Sequence, residues 1–178
     1  MKKGTKFFIA AIAMFIGLSM SSYAQLEAGS IGIGASFVSG SPTANCFYAL
    51  NDNMEVGVGL GYATTSYDDE SDYAPDAGSS INFTAMFKYF LSKGRDVSPF
   101  IGGMLEYNTL TQIGAEKGKG GLGFAAMFGG QAAIAKNLHV YGYVSLGYYS
   151  ETDETNEVKP TYTTISLGGS GVGAIFYF

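Results

Sequence analysis

Tryptophan is absent from this chain, and cysteine and histidine occur once each, as Cys46 and His139. A single cysteine excludes an intramolecular disulfide even in an oxidising compartment. Cys46 is therefore read as a small apolar packing residue rather than a reactive thiol. Charge is also scarce, at 14% of residues, and there are only 4 prolines. Beyond the first 24 residues no apolar run reaches the 18 or so residues of a membrane helix, which excludes a helical span. No stretch shows a helical period either, so an amphipathic helical core is excluded as well.

The composition that remains favours strands: Gly 26, Tyr 13 and Phe 13. The N-terminus reads MKKGTKFFIAAIAMFIGLSMSSYAQ, with three early lysines, an apolar run over 7–18 and small residues up to Ala24. That layout predicts a cleavable Sec-type signal peptide, residues 1–24, with the mature chain starting at Gln25. Removing it takes away three of the ten Lys+Arg and none of the fifteen Asp+Glu, leaving a formal charge of −8. An acidic surface of that kind argues against nucleic-acid partners and against docking on anionic lipid. Residues 25–178 are enough for one domain.

Alternation is the recurring pattern, and it is the period of a strand. In MEVGVGLGYAT, Val56, Val58, Leu60 and Tyr62 share one face, opposite Glu55, Gly57, Gly59 and Gly61. In SINFTAMFKYFL, Ile81, Phe83, Phe87 and Tyr89 alternate with Asn82, Thr84, Met86 and Lys88. One face is apolar and bulky, and the other is mostly tiny or polar. The second face could not build an ordinary core, and the chain lacks the charge to cover a sandwich in water. Bulky residues facing lipid and small or polar ones facing a narrow lumen fit this pattern. The reverse, a soluble exported barrel carrying an apolar ligand, would need a bulky apolar interior and a polar exterior.

A weak repeat, Leu60-Gly-Tyr62, Leu105-Glu-Tyr107 and Leu146-Gly-Tyr148, ends three strands before polar stretches. Outward Tyr62, Tyr107 and Tyr148 would form an aromatic girdle, with rings in lipid and hydroxyls among headgroups. Connections alternate in length: short at 50–54, 92–97 and 135–138, long and polar at 66–79, 111–121 and 150–160. The predicted fold is all-β, an eight-stranded antiparallel up-and-down transmembrane β-barrel. Its strands are expected near 28–38, 43–50, 54–66, 79–91, 98–110, 121–134, 138–150 and 161–178. A strand of about 11 residues tilted by about 40° stands roughly 28 Å tall, the height of an outer membrane. In the last strand Ile165 and Leu167 are apolar at odd positions, but Val172, Ala174, Phe176 and Phe178 at even ones. Parity fixes the face, so either a bulge lies in the GGSG of 168–171 or Ile165 and Leu167 point inward.

The chain resembles the outer-membrane β-barrel domain family, the small eight-stranded porin-like proteins of Gram-negative bacteria. The matching pieces are the signal ending at Ala24-Gln25, the stretch CFYALNDNMEVGVGLGY and the terminus GAIFYF. The resemblance implies residence in the bacterial outer membrane, in contact with the lipid bilayer and lipopolysaccharide. It also implies an assembly signal read by the barrel assembly machinery, carried here by Gly173, Phe176 and Phe178.

An eight-stranded barrel is just wide enough for side chains to fill it, so a wide channel is not expected. Inward polar candidates are Glu55, Asn82, Thr84, Lys88, Glu106, Asn108 and Gln131. Glu55, Lys88 and Glu106 read as an interior charge network in which burial is compensated by pairing. A narrow pore or conduit for small solutes, gated by those three, is the alternative. A hydrolase would need a nucleophile beside His139, and Ser145 lies roughly 20 Å along the same strand. No catalytic residue, cofactor or metal ligand is assigned. The acidic runs 67–76 and 150–157 could attract divalent cations but lack the spacing of a calcium loop, and they read as solvated tips. The expected function is a non-catalytic barrel of structural or surface-interaction type.

Overall fold

The computed structural model describes residues 27–38, 41–65, 78–92, 97–112, 118–153 and 160–178. The expected signal peptide and the acidic stretch 67–76 lie outside the described residues. Eight strands form one closed barrel: β1 (Ile31–Val38), β2 (Ser41–Asn51), β3 (Met54–Thr65), β4 (Gly78–Phe90), β5 (Ser98–Gln112), β6 (Lys119–Ala133), β7 (Leu138–Asp153) and β8 (Thr161–Tyr177). Each strand pairs antiparallel with the next, and β8 closes on β1. The strand expected from 28 starts at Ile31, because Gly29 turns the chain with φ 89°. Strand β7 runs on to Asp153, so the first residues of the acidic run 150–157 are ladder rather than a solvated tip.

The register sets the tilt. Gly173 pairs with Ser36, and successive partners are Thr43, Gly61, Asn82, Asn108, Gly121 and Glu151, which return to β8 at Tyr162. Paired residues share a face, yet Gly173 and Tyr162 have opposite parity. One extra residue must therefore sit between them, and it is Gly168: Ser145 pairs with Gly169, and Leu146 with Leu167. Of the two readings of this strand, the bulge is the one found. It keeps both apolar sets outward, with Ile165 and Leu167 at 77% and 85% exposure above it and Val172 and Phe176 below. Without the bulge residue the shear is about ten residues over eight strands, which tilts them by about 40°.

The outer surface is apolar from one rim to the other. On β4 and the loop after it, Ile81, Phe83, Phe87, Tyr89 and Leu91 are exposed; on β5 and the residue before it, Val97, Ile101, Leu105 and Tyr107. Each series spans about ten residue steps, roughly 25 Å along the axis at this tilt, the height of a lipid-facing band. A continuous belt of exposed Leu, Ile, Phe and Tyr has no stable place in water. The barrel is transmembrane.

The lumen is fuller than alternation alone suggests. Its lining strands carry glycine or small residues, but Phe47, Phe100, Met86, Met104, Met127, Tyr141, Tyr143, Ile175 and Tyr177 also point inward and are buried. Rings lie over the glycines directly opposite them: Phe47 over Gly57, and Tyr141 over Gly173. A Cβ added at Gly57 would sit 2.5 Å from the Phe47 ring, and one at Gly173 would sit 2.6 Å from Tyr141. The glycines are empty so that the neighbouring strand's ring can lie flat across them. Gly173→Ala is therefore expected to destabilise the barrel by about 1–3 kcal/mol through overpacking. Gly103→Ala, whose added Cβ would meet nothing nearer than 3.9 Å, should be close to neutral. Chemical unfolding of the two variants in detergent checks the contrast.

Candidate functional site

Polar lumen residues fall into two tiers. The lower tier, at the end holding the short connections and the C-terminus, begins at the 51–54 turn, which places Glu55 on the first inward position of β3. Register then sets Lys88 on β4 directly beside it. Lys88 Nζ donates to Glu55 Oε1 at 2.8 Å, and the two side chains are 1% and 0% exposed. The same ammonium donates to Gln131 Oε1 on β6 at 3.1 Å. Gln131 Nε2 donates in turn to Tyr177 Oη at 3.1 Å and faces His139 Nδ1 at 3.2 Å. Tyr177 closes the ring by donating to Glu55 Oε2. Residues of β3, β4, β6 and β8 thus tie one side of the barrel to the other.

Aromatic rings complete the enclosure. Lys88 Nζ lies 4.0 Å from the Tyr141 ring centre, 4.4 Å from Phe47 and 5.5 Å from Phe100. Phe47 and Tyr141 meet edge to face, as do Phe90 and Phe100. A buried ammonium is tolerable only when its charge and its donors are met, and here carboxylate, amide and π-faces meet them together. Because the rings also fill the cross-section, this tier is a plug.

The upper tier is polar and looser. Asn45 Nδ2 donates to Ser36 Oγ at 2.8 Å, and Thr84 Oγ1 donates to Asn82 Oδ1 at 3.2 Å. A small cavity of about 70 Å3 lies beside Glu106, Tyr143, Ser145 and Tyr149. A second of about 180 Å3, reached past Asn108 and Lys119, leads to the outer mouth. There Lys119 Nζ pairs with Asp153 Oδ2 at 3.1 Å. Glu106 does not join the lower tier: Lys88 pairs with Gly102 on β5, four positions from Glu106, or about 13 Å at strand rise. The trio expected from sequence is a pair plus a separate carboxylate.

His139 faces inward, packs on Tyr177 at 4.7 Å and is engaged by Gln131 rather than by a nucleophile. Ser145 lies on the same face farther up β7. Among the described residues no group of three or more His, Cys, Asp and Glu is placed to hold a metal ion. Cys46 is exposed on the outer face.

The girdle tyrosines occupy one level. Stepping between paired residues climbs the axis by about 1.25 residues per strand at this shear. From Tyr62 the pairs lead through Ile81 to Thr109, so the level position on β5 is two to three residues lower, at Tyr107. From Tyr107 they lead through Leu122 to Ser150, and the level position on β7 is Tyr148. Tyr62 and Tyr107 are well exposed, and Tyr148 is half-buried against Phe124. Phe176 and Phe178 point outward at the opposite rim in edge-to-face contact, while Gly173 faces the lumen beneath Tyr141. Sequence reasoning missed Tyr177, Phe47 and Tyr141 as parts of the plug. The signal for the last two was a large residue in register with a glycine.

An apolar outer belt, aromatic rims and a plugged lumen define a small eight-stranded transmembrane β-barrel. No family model matches the chain, and no curated protein matches it. Solved structures similar to it include the N-terminal β-barrel domain of Pseudomonas aeruginosa OprF, at 18% identity and TM-score 0.47, covering 86% of this chain and 100% of that one. Neisserial surface protein A is similar at 16% identity and TM-score 0.48, covering 84% and 94%. A major outer membrane protein from Thermus thermophilus is similar at 14% identity and TM-score 0.44, covering 84% and 99%.

Proposed function

We propose that the protein is an integral bacterial outer-membrane β-barrel of structural or surface-interaction type, without catalytic activity. Its partners on this reading are the lipid bilayer with its lipopolysaccharide and, during biogenesis, the barrel assembly machinery. The signal peptide expected from the sequence and the outward apolar belt support the location. The observation that carries the function is the plug: Lys88 and Glu55 are fully buried, with Phe47, Phe100 and Tyr141 around the ammonium. A conduit would have to move an ion pair and three rings at once, so the upper cavities are dead ends. The enzyme reading loses its one base, since His139 is held by Gln131 and Tyr177.

Planar-bilayer recording tests this reading. The refolded wild type is expected to give no resolvable current steps, and a Phe47→Ala, Tyr141→Ala double variant is expected to give them. Regular steps from the wild type would replace the sealed barrel with the narrow-pore reading.

A further inference from the structure

We infer that the upper half of β8 is an open sheet edge that takes up an extended segment of another polypeptide as an added strand. The inference rests on the surface-interaction reading and supplies the kind of partner. Strand β1 stops at Val38, opposite Gly171, and β2 meets β3 only from the pair of Thr43 with Gly61 downward. Above those pairs β8 is bonded to β7 alone, and residues 62–65 of β3 to β4 alone. The gap between them is as wide as the two missing strands, about 14 Å from β8 to β3. Every residue of 161–167 is exposed, and Leu167 and Ile165 are the most exposed large apolar side chains among the described residues. From Tyr148 the pair leads to Ile165, so the girdle level on β8 lies one to two residues lower, beside Leu167. The edge therefore rises from the headgroups to about 15 Å above them at Thr161.

The backbone decides what the edge offers. Phe178 turns its N–H to Ile31 at the start of β1, and Tyr177 turns its own the other way, to Asn137. Outward-facing residues of β8 thus present their backbone groups to the β1 side, and the bulge at Gly168 keeps that relation as it shifts the parity. Above it, Thr161, Thr163, Ile165 and Leu167 turn N–H and C=O into the gap, where none has a hydrogen-bond partner among the described residues. These groups repeat at about 7 Å, the spacing of every second residue in a strand, and another extended backbone meets the whole series. The charges and prolines that keep natural edges apart are missing, since residues 161–170 include neither. A second copy in the same membrane is the wrong partner: its strands would tilt the opposite way across the contact and cross β8 at about 80°. The fitting segment is about seven residues long, apolar beside Ile165 and Leu167 and small or polar beside Thr164 and Ser166.

The test is amide hydrogen exchange, read by NMR, on the refolded barrel in lipid nanodiscs, with a capped heptapeptide of alternating valine and threonine as probe. The probe is expected to slow exchange at Thr163, Ile165 and Leu167 by about tenfold or more, leaving Thr164 and Ser166, already bonded to β7, unchanged. The same peptide N-methylated at every residue should have no effect. Ile165→Pro removes an N–H that faces the gap and leaves the β7 ladder intact, so it should fold and lose the slowing at Thr163 and Leu167. Should that variant fail to fold, the methylated peptide on the wild type still decides. No slowing, equal slowing along 163–167, an equal effect of the methylated peptide, or slow exchange at Ile165 before the probe is added overturns the edge. A water-soluble gadolinium chelate tests the reading beneath separately. It should broaden the signals of Thr161 and Thr163 but not those of Val58 and Ile101 in the belt, and an edge it does not reach would overturn the outer-surface placement itself.

Discussion

Replacing Lys88 with methionine is expected to lower the unfolding free energy by about 3–5 kcal/mol, among the largest effects of any single substitution in this barrel. The cost is what the substitution strands. Among the described residues Glu55 keeps only Tyr177 as a hydrogen-bond partner, and its carboxylate stays buried with its ammonium partner gone. Gln131 loses the ammonium that its carbonyl oxygen accepts from. Methionine recovers the packing of the stem against Phe47 and Tyr141, so the loss isolates charge rather than volume. Adding Glu55→Gln should return part of the stability, with a coupling of roughly 1–3 kcal/mol. Glu106→Gln combined with Lys88→Met should be additive, because the two residues sit in different tiers. The measurement is the unfolding midpoint in detergent for the three single and two double variants. Additivity for Glu55 with Lys88 would mean that the ion pair contributes nothing to stability.

How much of this was legible in the sequence depends on whether a feature is local or made by closure. Strand number and facing were legible because parity is a local property, and in a lipid-embedded barrel the bulky parity is visible at every strand. The parity break in β8 was legible for the same reason. It could be assigned to a bulge rather than to inward Ile165 and Leu167 only once the ladder around the whole barrel was known. Glu55 and Lys88 could be set near one rim because both stand close to short connections. Gln131 and Tyr177 could not be added, since they come from β6 and β8 and meet the pair only across the closed lumen. Glu106 shares the inward parity of Lys88, and parity says nothing about height.

The rings in the lumen were hidden for a different reason. A glycine-rich face suggests empty space, whereas Gly57 and Gly173 are empty because Phe47 and Tyr141 lie across them. Recognising this needs register, which depends on pairing between strands far apart in sequence. The Lys119–Asp153 pair escaped likewise: the strands run past the point where the composition turns acidic, so a residue assigned to a solvated tip is buried in the ladder.

Deleting Phe178 is expected to cut the amount of folded barrel in the outer membrane by about tenfold or more while barely moving the unfolding midpoint of refolded protein. The structure supplies the second half of that contrast. Phe178 is 72% exposed, so most of its ring meets lipid or detergent. Its backbone N–H donates to Ile31 O at 2.9 Å, and its ring touches Phe176 edge to face. One hydrogen bond and one ring contact amount to about 1–2 kcal/mol between them. Tyr177, one residue earlier, is fastened far more firmly: its N–H donates to Asn137 O and its hydroxyl to Glu55. The ladder therefore survives without the last residue. If Phe178 with Phe176 is the feature read during assembly, its loss acts before the barrel closes, when those bonds do not yet exist. Phe178→Leu should fall between the two, keeping the apolar surface without the ring. The comparison sets outer-membrane yield in cells against the unfolding midpoint of refolded protein. Unchanged yield on deletion would remove the recognition role, and a collapse of both would make the terminal residue a part of the fold.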